Sequence, residues 1–205
     1  MLIIIRDVDM IGVRINGEDA QIKSDGLPRM SDLVELIKSN IDPAHMITAI
    51  RIDGREFEEG DWTANLARFE TAIVEVETGR PADFVSDRLG QASDVMKACY
   101  FEFRDARKSF QQGVMIDGNK KLVRAVNTLQ AFFEWYGTLM ELVTAEERPQ
   151  YDITAQVREI SEVCKKICQQ QLYQSWWALG ECIEKELEPK LDCMEDFCRK
   201  FRVQN

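Results

Sequence analysis

Over the first eighty or so residues the apolar positions fall into short runs, several of them alternating with polar ones. Leu2-Ile3-Ile4-Ile5 reads as a strand buried on both faces, with Val13-Arg14-Ile15 as its hairpin partner. Met30, Leu33, Val34 and Ile37 follow at helical spacing after Pro28, in a segment ending near Asn40 and Pro43. Ile50-Arg51-Ile52 alternates into Asp53-Gly54, a strong two-residue hairpin signal, and Glu56-Phe57 forms the short returning strand. Ala72, Val74 and Val76 alternate with Glu75 and Glu77 before Gly79 and Pro81 close the pattern. The predicted order is strand, strand, helix, strand, short strand, strand.

From about residue 82 the period changes to 3.6. Phe84, Leu89, Val95, Met96, Cys99, Phe103, Ala106 and Phe110 mark a first helix, entered by Pro81 and left at Gly113. After Asp117-Gly118-Asn119, a second carries Leu122, Val126, Leu129, Phe133, Tyr136, Met140 and Val143, with Ala125, Phe132 and Leu139 widening the stripe. This second helix is expected to be the most buried element. Asp152 is placed to cap a third, carrying Ile153, Val157, Ile160, Cys164, Ile167, Cys168, Leu172 and Trp176, which continues past Gly180 through Leu179, Ile183 and Leu187. Leu191, Met194, Cys198 and Phe201 keep helical spacing beyond Pro189, as a fourth helix or a kinked extension. The fold class is therefore α+β, a small sheet domain over residues 1–79 and an antiparallel bundle of three to four helices over 82–205, with sequential helices packed together.

The strand order, at that length, resembles the ubiquitin-like β-grasp family. Its most telling stretch is Ile50-Arg51-Ile52-Asp53-Gly54-Arg55-Glu56-Phe57-Glu58-Glu59-Gly60-Asp61, similar to that family's strand, glycine turn, short strand and acidic-glycine turn. The last strand runs through Thr78-Gly79-Arg80-Pro81 into further protein rather than into a free Gly-Gly tail. The resemblance accordingly implies a built-in module that positions or recruits rather than a covalent tag.

Charge and composition narrow the function. The chain has 205 residues, with 26 Lys and Arg against 36 Asp and Glu, a net charge of −10. That balance opposes nucleic acid and anionic membrane as general partners, because neutralising phosphate needs a basic surface. The first 80 residues hold 9 basic and 16 acidic side chains, so most of the acidity belongs to the sheet half. The opening apolar run stops at Arg6 and Asp7, and no run is long enough to span a bilayer. The expected location is cytoplasmic, with the six cysteines reduced.

No phosphate-binding glycine loop, metalloprotease, C-x-x-C or nucleophile-elbow motif is present, and His45 is the single histidine. No enzyme, cofactor or metal is expected. Cys164 and Cys168 share a helix face and Cys193 and Cys198 do not, which fits cysteine as a small apolar filler better than as a zinc ligand. Two aromatic rows, around Phe132 and Trp135 and around Tyr173, Trp176 and Trp177, are too wide for one neighbouring helix to cover. They are the candidate partner-binding residues, Trp and Tyr being rich in rigid contact area. Lys120, Lys121 and Arg124 sit where the second helix is expected to begin and are a weaker candidate for holding an anion.

The leading expectation is a non-enzymatic protein–protein interaction protein, an adaptor, scaffold or assembly subunit, with a homodimer through the bundle as one way of covering the apolar stripes. A chaperone-like export or assembly factor sheltering a client segment is the first alternative, and a cysteine-based metal or redox sensor the second.

Overall fold

The structure is a computed structural model that describes residues 11–69 and 71–204. The strand expected at Leu2–Ile5 lies outside the described residues. The chain is α+β and divides into two compact units, Met1–Phe84 and Val85–Asn205.

In the first unit β1 (Gly12–Ile15) turns back into β2 (Glu18–Ala20) through Asn16 and Gly17, at φ 52° and 84°. Such a two-residue turn needs positive φ twice, which Asn-Gly supplies at little cost. α1 (Met30–Asn40) follows, then β3 (Met46–Ile52), β4 (Arg55–Glu56) and β5 (Ile73–Gly79). The expected Asp53-Gly54 hairpin joins β3 to β4, with φ 50° and 78°. The strands form one mixed sheet in the order β2-β1-β5-β3-β4, in which β1 and β5 are parallel and the other neighbours antiparallel. Val13–Ile15 therefore has β2 and β5 as its described partners.

Alternation decides which face is covered. Val13, Ile52, Val74 and Val76 turn inward against Met30, Leu33 and Ile37 of α1. On the other face Arg14 pairs with Asp19 at 2.8 Å and Arg51 with Glu77 at 2.6 Å. Several of the clustered acids have local structural tasks. Asp53 accepts the Ile73 N–H at 2.9 Å. Asp61 accepts both Arg55 amino groups at 3.0 Å and the Glu58 N–H at 2.9 Å, and its carboxyl is held below the usual range by that guanidinium.

The second unit departs from a simple bundle. The first expected helix is two, α2 (Pro81–Leu89) and α3 (Ala92–Gln111), interrupted at Gly90-Gln91. α4 (Met115–Glu141) begins five residues before Lys120, so Asp117-Gly118-Asn119, after which the second helix was expected to start, lies within it. α5 (Thr154–Leu172) starts where Asp152 accepts the Thr154 N–H and hydroxyl, at 2.9 and 2.6 Å. It stops at Gln174, whose φ of 54° reverses the chain. α6 (Trp176–Cys182) and α7 (Glu188–Arg199) then form one rod joined by a π-turn over Ile183–Leu187. Pro189 accounts for the turn: it lacks the N–H that an α-helix would use there, and its ring crowds the preceding turn, which widening relieves.

The helix at the centre is α3, not α4. It packs against α4 on one side and against α6 and α7 on another, while α5 lies on α6 and α7. Its Met96, Cys99, Phe103 and Ala106 are fully buried. The π-turn brings Glu184 and Glu188 to the buried Arg107 of α3, at 3.0 and 2.8 Å, with the Tyr100 hydroxyl donating to Glu188 at 3.4 Å. α4 and α5, consecutive in the chain, have little close backbone contact.

Candidate functional site

The separation of α4 from α5 has its origin in two apolar seams on α4. Leu122, Ala125, Leu129, Phe132, Tyr136 and Leu139 step three and four residues at a time and are buried. Val126, Phe133 and Met140 lie one position further round and are only half-buried. α5 repeats the division: Ile160, Val163 and Ile167 are buried, whereas Val157 and Cys164 are half-buried and Cys168 is exposed.

The less buried seams face each other across a groove with three linked stretches. About 610 Å³ lies between Phe133, Tyr136, Gly137 and Met140 on α4 and Ile153 and Val157 on the other wall. About 590 Å³ follows between Val126, Leu129 and Phe133 and Ile160, Cys164 and Cys168. A last 170 Å³ reaches Val123 and Gln171, with Phe103 of α3 beneath. Both ends are pinned. The Tyr136 hydroxyl donates to the Tyr151 carbonyl at 2.8 Å, and the Gln171 amide donates to Asn119 at 2.8 Å, so α5 runs antiparallel to α4. The lining is apolar apart from a few amides and hydroxyls, and its charged members are Glu134, Arg148, Asp152 and Lys165, two of each sign.

The candidate docking aromatics separate. Trp177 and Tyr173 are each 78% exposed, next to Leu172 at 81%. Trp176 is half-buried, its ring stacked on Phe110 at 5.5 Å and 9°. Trp135 is half-buried against Phe132 at 5.7 Å and does not line the groove. Phe132 is 2% exposed and belongs to the core, because it stands on the seam that meets α3; it is not available to a partner.

The anion site does not form where expected. Lys121 pairs with Asp117 at 2.7 Å and donates to Ser109 at 2.9 Å, and Arg124 pairs with Glu102 at 2.9 Å. With α4 starting at Met115, all three cations stand beyond its first turn, and Asp117 takes the acidic place the helix dipole favours. Lys121 and Ser109 hold the Asp117 carboxyl low.

Cys164 has Cys168 and Cys182 near enough to act on it electrostatically. Burial pushes Cys99 and Cys198 up to about 12, and Cys164 and Cys182 up to about 11. Such groups are poor nucleophiles and poor ligands at neutral pH. Among the described residues no three His, Cys, Asp or Glu side chains converge to hold a metal ion. His45 is half-buried in the turn after α1, where its N–H donates to the Asp42 carbonyl at 2.9 Å.

Sequence reasoning placed Val126, Phe133, Met140, Val157, Cys164 and Cys168 in the bundle interior and did not single out Gly137. The signal was the width of the α4 stripe: two seams one position apart need two neighbours, and α3 supplies one. Comparison with family models, with curated proteins and with solved structures finds no match to this chain.

Proposed function

We propose that this is a non-enzymatic interaction protein of the cytoplasm, an adaptor or assembly subunit whose helical unit binds a protein partner in the groove between α4 and α5. The observation that carries the reading is the pair of facing, unpartnered apolar seams, Val126, Phe133 and Met140 on α4 and Val157, Cys164 and Cys168 on α5. Contiguous exposed apolar surface of this extent marks a contact site in proteins that are otherwise well packed. Tyr173, Trp177 and Leu172, beyond the Gln171 end of the groove, offer a second patch with the composition of a binding hot spot. The first unit is read as a ubiquitin-like β-grasp module; the sheet order β2-β1-β5-β3-β4, the parallel β1–β5 pair and α1 on one face support this.

The test compares tagged wild-type protein and Phe133→Glu purified from the source cells. A partner recovered in stoichiometric amount with the wild type and lost from the variant, at an unchanged melting temperature, is the expected result. Identical partners for both, with the variant folded, would sink the reading. The apolar lining of the groove also suits the sheltering of a client segment. In that case the recovered partner, purified alone, aggregates or is degraded, and the wild-type protein prevents it.

A further inference from the structure

Two turns of the helical unit, α3 into α4 and α5 into α6, meet at one end. The Gln171 amide donates to Asn119 at 2.8 Å, and Trp176 stacks on Phe110, whose ring lies against Gly118. These contacts gather Val114 and Ile116 at the start of α4, Leu172 and Tyr173 at the close of α5, and Trp177 on α6. Seven large apolar side chains are exposed among the described residues of this unit, and these are five of them.

Charge is missing from the same place. In a chain that is 30% charged, residues 109–116 and 167–180, which make up both turns, hold no Asp, Glu, Lys or Arg. Burial does not account for this, because Gln112, Gln174 and the five apolar residues are all exposed. Depletion of charge around exposed Trp, Tyr and Leu is the composition of an interface core, and contacts between identical chains are the most apolar kind.

That chemistry selects a second copy. On a two-fold axis each patch meets itself, so a patch of one charge repels its twin, while apolar groups and amides, donor and acceptor at once, complement themselves. Gln112, Gln170 and Gln174 supply those amides. Lys108, Asp117, Lys166 and Glu181, which bound the two segments, are each held in an ion pair of this chain. A collar of free cations, which would suit lipid headgroups, is therefore not built there. The unit as a whole is near balance, with 17 basic and 19 acidic side chains over residues 85–205, so its own charge opposes pairing only weakly. At about 200 Å² for a large side chain, the five exposed residues offer on the order of 700 Å² per copy, close to the roughly 800 Å² per partner of a standard interface.

We propose that two copies of this chain join end to end as a two-fold dimer through Ile116, Leu172, Tyr173 and Trp177. A patch that faces itself closes at two copies and does not extend into a filament. This rests on the reading of Leu172, Tyr173 and Trp177 as a contact patch, and not on the groove.

The full-length protein is sedimented to equilibrium over about 1–100 μM, with reductant present to exclude disulfide-linked species. A dimer with a Kd in the low micromolar range or below is expected. Trp177→Lys, which sets two like charges in the contact, should raise that Kd by about tenfold or more. Because Trp177 is exposed in the single chain, the melting temperature read where both proteins are monomeric should not change. Raising NaCl from about 50 to 500 mM should leave the wild-type Kd unchanged or lower it, since the contact itself holds no charge. Phe133→Glu, in the groove, should dimerise as the wild type does.

Wild-type protein that stays monomeric at about 100 μM overturns the proposal. So does a dimer that Trp177→Lys and Leu172→Lys both leave intact, or one that salt dissociates. A dimer undone by Phe133→Glu and not by Trp177→Lys places the second copy in the groove, and the proposal falls. A monomer that binds vesicles of phosphatidylcholine and phosphatidylglycerol through Trp177 gives the patch to lipid, with the same consequence. If the wild type is monomeric and Trp177→Lys loses the cellular partner, the patch stands as a contact for another protein. If that partner is kept, the reading of the patch is lost as well, and the groove is still judged by Phe133→Glu.

Discussion

Gly118 stands inside α4 with the ring of Phe110 2.8 Å from where a Cβ would be. Phe110 is 4% exposed and stacked on Trp176, so it has no room to give way. Gly118→Ala, which in most helix interiors would stabilise, is expected to cost about 1–3 kcal/mol here through overpacking, read from a denaturant midpoint. The same stack separates two adjacent tryptophans. Trp176→Ala should lower stability by about 1–3 kcal/mol, while Trp177→Ala stays within about 0.5 kcal/mol and shows itself only in association. Equal losses from both would contradict the packing of Trp176. The close approach to Gly118 also explains why the start of α4 was hard to read: Asp117-Gly118-Asn119 has the composition of a turn, and nothing in one sequence reveals that the glycine answers to a ring eight positions earlier. The Asn16-Gly17 turn obeys the rule that identified Asp53-Gly54, yet the sequence reading passed over it and gave Val13–Ile15 only Leu2–Ile5 as a hairpin partner.

Among the elements, period was legible and partnership was not. The alternation at Val74-Glu75-Val76-Glu77 and the 3.6-residue steps of α3, α4 and α5 report which residues share a face. They do not report whether a neighbour covers it, which is why half of the α4 stripe was assigned to the interior and α4 to the centre. The residues that make α3 central are partly polar. Arg107 and Glu188 are buried at 9% and 7% exposure and bonded to each other, a pairing 81 residues apart that no local pattern announces. Removing one partner strands the other charge. Arg107→Met is expected to cost about 3–5 kcal/mol, and adding Glu188→Met should recover most of it. A double variant as unstable as the single one would show that the loss comes from packing rather than from the unpaired carboxylate.

At the scale of the whole molecule, charge and titration divide along the same line as the two units. All six cysteines and all four tyrosines lie in the second unit, and the net acidity is concentrated in the first. Buried thiols at about 11 to 12 stand above the unfolded value of about 8.5, so the folded chain keeps protons that the unfolded chain releases. Burial raises Tyr136 in the same direction. Their contribution is complete below about pH 8.5 and is lost as pH rises through the folded values. Asp61, Asp117 and Asp152 have the opposite sign: bonds from Arg55, Lys121 and Thr154 hold them low, so their contribution is present above about pH 4 and lost in acid. Acid therefore acts on both units, whereas alkali acts chiefly on the helical one. Fluorotryptophan NMR can separate the two, because Trp62 lies in the first unit and Trp135, Trp176 and Trp177 in the second. Between about pH 7 and 10.5 the urea midpoint read at the three helical tryptophans should fall well ahead of the midpoint read at Trp62, and Cys198→Ala should reduce the difference. A fall at Trp62 as large as at the others would mean that the alkaline loss does not arise from the buried thiols and Tyr136.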